Sequence, residues 1–247
     1  MGTEVIVNGL TSADPIAIVP PDIPGLFVWA YFGSIFSTDN NNLAPGGAAF
    51  ANIGSGPELI AENYIRCWYN AAIRSGWNRY DDSAGEAMTI VAVGRTTRSS
   101  VGTQPLCGSA ELYLSPREVE LANGSVPSVS NYSGSTAGPY LTVVSTTLDW
   151  RAYALTEPAA GVSGTARVMD LTGDAEATSV RNGAIRVPDA ENYLAFGTVD
   201  GAAAGSVRMD IAFAAAVLGS QMSKANILAD IMPAVRATLA LRGITGV

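Results

Sequence analysis

Ser206-Val-Arg-Met-Asp-Ile-Ala-Phe-Ala214, followed by a helical pattern that opens at Ser223 and stops at Gly243, is the stretch that decides the fold. Its first part reads as a strand, and Asn192-Tyr-Leu-Ala-Phe-Gly197 upstream reads as another, with a Gly/Ala turn between them. The second part carries Ile227, Leu228, Ile231, Val235 and Leu239 at three- and four-residue spacing, the single apolar stripe of a helix that docks on one side. Ser223 suits the N-cap and Gly243 the C′ position. Pro233 lies mid-pattern, which predicts a kink or a split. The reading is an all-β body closed by one C-terminal α-helix over residues 223–242.

Working toward the N-terminus, strand signals recur at short intervals. Leu26-Phe-Val-Trp-Ala-Tyr-Phe32, Tyr64-Ile-Arg-Cys-Trp-Tyr69 and the nearly continuous apolar run Ala87–Arg95 read as strands. So do Tyr140–Ser145, Trp150–Leu155, Gly164–Met169 and Ala175–Ser179. Ser109–Leu114 and Arg117–Leu121 alternate polar and apolar, so each is expected to bury one face. The Gly/Ser/Pro-rich stretch 123–139 is expected to be a long loop, and Arg181-Asn-Gly183 a tight turn. Many short strands with this spacing predict a two-sheet sandwich rather than alternating strands and helices. Residues 1–25, with Pro15, Pro20, Pro21 and Pro24, form an extended N-terminal arm, and residues 26–247 form the sandwich domain.

Composition removes several function classes. The chain has 247 residues, 48% of them hydrophobic, and no histidine. Ser–His–Asp and Cys–His catalysis and His-ligated zinc are therefore excluded. The net charge of −8 and the single lysine, Lys224, argue against a nucleic-acid partner, which needs clustered cations. No apolar run reaches the length of a membrane-spanning helix, so no membrane insertion is expected. The start, Met1-Gly-Thr-Glu-Val5, lacks the basic and apolar regions of a signal peptide. Cys67 and Cys107 read as buried free thiols, a disulfide requiring that the fold bring them together. An apolar composition outside a membrane favours burial between subunits.

The chain resembles the concanavalin A-like (laminin G-like) jelly-roll domains of bacteriophage virion proteins, those of tail fibres in particular. The resemblance is carried by Asn42-Leu-Ala-Pro-Gly46, by Met88–Arg95, by Tyr193–Gly197 with Asp210-Ile-Ala-Phe213, and by the closing Leu241-Arg-Gly-Ile244. It implies a two-sheet concanavalin A-like jelly-roll sandwich in a virion, with no catalytic residues carried over. The triple-helical shaft or repeat of fibre proteins is missing from this sequence, which leaves a short fibre, an adaptor and a capsid decoration protein open.

Trp68, Tyr69, Trp77 and Tyr80 lie close in sequence with Arg74 and Arg79 between them. Flat rings beside polar side chains suit a sugar, and Trp77, expected on a loop, with Arg79 and Tyr80 is the candidate glycan site; an interface between subunits is the other use of such residues. Asp81 and Asp82 precede a Ser/Gly turn and are candidate calcium ligands, against the plainer reading of solvated turn aspartates. Glu118 and Glu120 share a strand face but lack the further acid of a Glu-x-Asp-x-x-Glu glycosidase strand, so no catalytic residue is assigned and no cofactor is required.

These readings combine into a non-enzymatic virion protein, a tail or tail-fibre component that attaches to a host-surface glycan. A capsid decoration protein and a glycan-active enzyme are the alternatives. Its partners are copies of itself in a homo-oligomer, with a trimer as one form, and neighbouring virion proteins through the arm. Deleting residues 1–20 is expected to leave the fold intact and weaken self-association. Sedimentation velocity beside a thermal melt checks this, and a truncated chain that no longer folds would refute the arm.

Overall fold

The computed structural model of the chain describes residues 19–34, 42–68, 70–78, 86–97, 102–103, 106–109, 112–121, 124–133, 136–141, 149–159, 162–182, 193–198 and 208–247. In chain order its strands begin with β1 (Leu26–Tyr31), β2 (Ala51–Gly54), β3 (Leu59–Ile60), β4 (Ile65–Cys67), β5 (Ala71–Asn78) and β6 (Met88–Thr96). Next come β7 (Gly102–Thr103), β8 (Cys107–Ser109), β9 (Leu112–Leu121), β10 (Gly124–Ser133) and β11 (Thr136–Leu141). The last are β12 (Arg151–Glu157), β13 (Ser163–Asp170), β14 (Ala175–Asn182), β15 (Tyr193–Phe196) and β16 (Met209–Leu218). They form two antiparallel sheets. The first runs β14-β13-β12-β6-β16-β4-β3, with β1 also on β16; the second runs β11-β10-β9-β8-β15-β5-β2, with β7 on β9.

The central strands of the first sheet are buried on both sides, which explains why they are apolar throughout rather than alternating. On its inner side Val28, Ala30, Ile65, Ile90, Leu155, Met209 and Ile211 meet Ile73, Leu106, Leu194 and Phe196 of the second sheet and its loops. On its outer side Trp29, Tyr31, Val91, Val93, Ala154, Phe213 and Ala215 meet the C-terminal helix. A bulge in the β16 ladder between Ile211 and Phe213 puts Ala212 and Phe213 together on the outer side. Cys67 and Cys107 are buried free thiols in the inner core, as their apolar sequence surroundings imply.

The helix is α1 (Lys224–Asn226), a π-helical turn over Ile227–Ile231, and α2 (Met232–Leu241). Pro233 thus falls in the first turn of α2, where its missing N–H costs little, and the π turn before it takes up the break. Ser223 Oγ accepts from Asn226 N at 3.2 Å. At the other end, Gly243 N donates to Ala240 O and Ile244 N to Leu239 O, with Gly243 at φ +75°, the hydrogen-bond pair of a Schellman motif. Both ends are tied to the sheet. Lys224 pairs with Asp174 in the β13–β14 turn, and Arg242 Nη2 donates to Phe32 O and Glu62 O beside β1 and β4. A segment this short, interrupted by a π turn, is not stable by propensity alone. Burial of Ile227, Ile231, Met232, Val235 and Leu239, about 2 kcal/mol each before entropy is counted, holds it in place.

Four expectations need correction. Residues 123–139 are largely strand, not loop: β10 pairs with β9 from Gly124↔Leu121 to Ser133↔Leu112, so long-range pairing overrides the turn-forming tendency of Gly, Ser and Pro. Residues 112–121 form one strand rather than parts of two, with Pro116 opposite Val129. Arg181 and Asn182 continue β14, and the turn that joins β13 to β14 is Leu171–Asp174. Trp77 lies on β5, not on a loop. Residues 1–18 of the arm lie outside the described residues.

Ile231 is fully buried between the helix and the first sheet. Ile231→Asp is expected to cost about 3–5 kcal/mol, since it puts an unpaired carboxylate in an apolar layer. Urea denaturation should show a lower midpoint, and an unchanged midpoint would mean that the helix is not docked as described.

Candidate functional site

The helix does not cover the whole outer face of the first sheet. Beyond it the sheet carries charge. Asp210 on β16 lies directly opposite Arg66 on β4 and opposite Arg95 on β6, so register alone builds a row of Arg, Asp and Arg across three neighbouring strands. Asp210 Oδ1 accepts from Arg66 Nε at 2.7 Å, and its Oδ2 accepts from Arg66 Nη2 and Arg95 Nε, both at 3.1 Å. The carboxylate is wholly buried, whereas the Arg66 and Arg95 side chains remain 29% and 32% exposed. Donating to the Asp210 carboxylate holds the Arg66 guanidinium even more firmly protonated than usual.

Aromatic rings frame the row. The Arg95 guanidinium carbon lies 4.6 Å from the Trp150 ring centroid and 5.4 Å from that of Tyr64, and the two rings meet edge to face at 5.6 Å. At the edge of the sheet, Arg208 lies 5.2 Å over Trp68 and forms an ion pair with Glu58. That pairing holds the Glu58 carboxyl below the usual carboxylate range. Thr97 N and Oγ1 both donate to Arg208 O, fixing the backbone beneath the side chain.

Glu58, Leu59, Arg66, Thr97 and Arg208 line an open depression of about 490 Å³. Trp68 is 38% exposed, and Leu59 and Ile60 are each 42% exposed, so apolar surface sits beside charge at this edge. Three guanidinium groups converge here on two carboxylates, which leaves an excess of positive charge on a chain whose net charge is −8. Such a surface can stack a flat apolar ring face and offer charge-assisted N–H donors to an acceptor.

Of the sequence-predicted glycan residues Trp77 alone is among the described residues, and it does not line this depression. Trp77 is only 8% exposed and packs on Phe27 at a ring-centroid distance of 5.0 Å. Alternation along β5 turns it inward with Ile73, so its ring offers no open face for a sugar. Arg79 and Tyr80, and the calcium candidates Asp81 and Asp82, lie outside the described residues. Among the described residues no cluster of metal-ligating side chains occurs. Trp68, grouped with Trp77 in the sequence, has its ring at the surface.

The residues that sequence reasoning missed were Arg66, Arg95, Arg208, Asp210, Tyr64 and Trp150. One signal for them was present: a lone charge inside an apolar strand, as in Met209-Asp-Ile211, Ile65-Arg-Cys67 and Val93-Gly-Arg95, demands a partner on a neighbouring strand.

No protein-family model matches the chain, and no curated protein matches it in sequence. Solved structures do match it in fold. A Trypanosoma rangeli sialidase in complex with 2,3-difluorosialic acid superposes with a TM-score of 0.58 at 13% identity, over 87% of this chain and 36% of the sialidase. The same sialidase in complex with sialic acid superposes with a TM-score of 0.54 at 14% identity, over 86% and 35%. The receptor-binding domain of botulinum neurotoxin D matches with a TM-score of 0.50 at 11% identity, over 89% of this chain and 52% of that one. The chain therefore spans about a third of the sialidase and half of the toxin domain. These likenesses establish the sheet-rich sandwich fold.

Asp210→Asn is expected to cost about 3 kcal/mol, because it removes the carboxylate that neutralises two guanidinium groups from a buried position. Arg208→Ala removes only a surface pair and is expected to cost less than about 1 kcal/mol. Chemical denaturation of the two variants checks the contrast. Equal costs would mean that the Asp210 row does not brace the sheet.

Proposed function

We propose that the chain is a non-enzymatic attachment module of a bacteriophage virion, carried in the tail or tail fibre and binding carbohydrate on the host surface as a homo-oligomer. The observation that supports this best is the exposed Trp68 beside the arginine-lined depression at the edge of the first sheet. An aromatic ring next to convergent polar donors is the composition a saccharide site requires. The virion and tail assignment rests on the resemblance of the strand order and closing helix to phage jelly-roll domains. A sialidase solved with sialic acid and a toxin receptor-binding domain share the fold, which agrees with a recognition role and does not specify one.

The carboxylates at the depression favour binding over turnover. Asp210 is fully engaged by Arg66 and Arg95, and Glu58 by Arg208. An acid–base pair for glycoside cleavage needs two carboxyl groups facing one bond from its two sides, whereas the hydrogen bonds of these two carboxyl groups are directed to arginines.

A second reading draws on Leu59 and Ile60. They are exposed on β3, which among the described residues is the terminal strand of the first sheet, and such a strand edge invites contact with another protein. A decoration protein on the capsid would use such an edge.

Immunogold electron microscopy of purified particles, with antibody raised to the intact chain, separates these readings when paired with binding to host surface polysaccharide. Label on the tail with saturable polysaccharide binding is the expected result. Label over the head without such binding would replace attachment by decoration. Release of reducing ends from the polysaccharide would overturn the non-enzymatic assignment, and absence of label on any particle would overturn the virion assignment.

A further inference from the structure

Within the carbohydrate-binding reading, on which this rests, we infer that the depression at Arg66 and Arg208 takes the carboxylate of an acidic sugar, with the sugar ring set against Trp68. Three features favour an anionic ligand over a neutral one. Arg66, Arg95 and Arg208 outnumber Asp210 and Glu58 at the site. The carboxylate that organises the row is wholly buried, so it fixes the guanidinium groups from below while their outer parts stay accessible. The Arg66 and Arg95 groups are also packed against Tyr64, and Arg95 against Trp150 as well, which limits their rotamers before any ligand arrives.

Pre-set guanidinium groups match a carboxylate because two N–H donors can meet two oxygens in one plane. A neutral sugar hydroxyl uses one donor at a time and gains nothing from the excess charge. The Arg208–Glu58 pair is the adjustable part. Both side chains are about one-third exposed, at 35% and 37%, so an incoming carboxylate can compete with Glu58 for Arg208 without exposing a core group. The open form of the depression suits the end or edge of a saccharide. Such a carboxylate comes from a uronic acid or from a sialic acid, and the site chemistry is the same for both.

The test is isothermal titration of the full-length chain with oligogalacturonate, with its methyl-esterified form, with sialyllactose and with lactose. The expected result is binding of one or both charged probes, with the esterified and sialic-acid-free counterparts at least about tenfold weaker. The affinity should fall as salt rises, since part of the attraction is screened. R208Q, which leaves the Asp210 row untouched, should weaken the charged probe about tenfold or more, and W68A should weaken it without changing its salt dependence. Which charged probe binds identifies the source of the carboxylate. Equal affinity for charged and neutral probes would overturn the anionic site and leave carbohydrate binding standing. Charged-probe binding unaffected by R208Q and W68A would place the ligand elsewhere and overturn the assignment. Binding to none of the four probes would overturn the acidic-sugar inference, whereas loss of host-polysaccharide binding is what would remove the broader reading.

Discussion

Strand β16 buries both of its faces, and the rest of the molecule is arranged to permit that. A two-sheet sandwich ordinarily needs apolar residues on one face of each strand. Here Met209, Ile211, Ala214 and Ala216 face the second sheet, while Ala212, Phe213, Ala215 and Val217 face outward into a second apolar layer. An outer layer of that kind in water requires a cover, and the C-terminal helix supplies it. Small alanines at 212 and 215 let the helix approach closely, and the Trp29–Phe213 and Tyr31–Phe213 ring contacts, at 4.9 and 5.0 Å, fill the space beside them. Gly197 shows how tight the inner layer is. A side chain there would meet Cys67 Cβ at 2.0 Å, and the residue is held at φ +84°, so only glycine fits.

The candidate site follows from the limits of that cover. The helix spans the half of β16 that pairs with β1, whereas β4 pairs with the other half, at Met209 to Ile211. On that second half the outward position is Asp210 rather than an apolar residue. A buried carboxylate there is tolerable only if it is paired, and the two strands that flank β16 each place an arginine opposite it. The charge row thus completes the outer face where the helix leaves off. It also sits on three hydrogen-bonded strands, so its side chains are held with a precision that a loop site lacks.

Much of the architecture could be read from particular residues. The stripe Ile227, Leu228, Ile231, Val235 and Leu239, with Ser223 and Gly243 at its ends, defines the helix through local rules, and the structure follows it closely. The nearly continuous apolar run Ala87–Arg95 reads as a strand, and β6 is buried on both faces from Met88 to Gly94. Strand β10 was obscured because Gly124, Ser125 and Pro127 are turn formers whose state is set by pairing with β9, which local sequence does not encode. The site was obscured for a related reason. Arg66 and Asp210 are 144 residues apart, and Arg95 and Asp210 are 115 apart, so their meeting depends on strand order. Trp77 misled because Ser75-Gly76 looks like a turn, yet Ser75 is buried in β5 and its hydroxyl accepts from Trp77 N within the strand.

A second buried aspartate shows what distinguishes the Asp210 row from an ordinary structural pair. Asp170, at the end of β13, is also wholly buried and also bound by an arginine, Arg151. Its other oxygen accepts from Thr172 N at 3.0 Å and from Gly173 N at 2.9 Å, so the carboxylate shapes the turn to β14. One guanidinium meets one carboxylate, and backbone amides use the remaining acceptor capacity. Asp210 instead spends its hydrogen bonds on two guanidinium groups, with Arg208 and Glu58 beside them. The same residue types therefore give a neutral, internally satisfied turn at Asp170 and a surface with surplus positive charge at Asp210. That surplus, next to an exposed indole on an acidic protein, is the physical basis of the proposed acidic-sugar site.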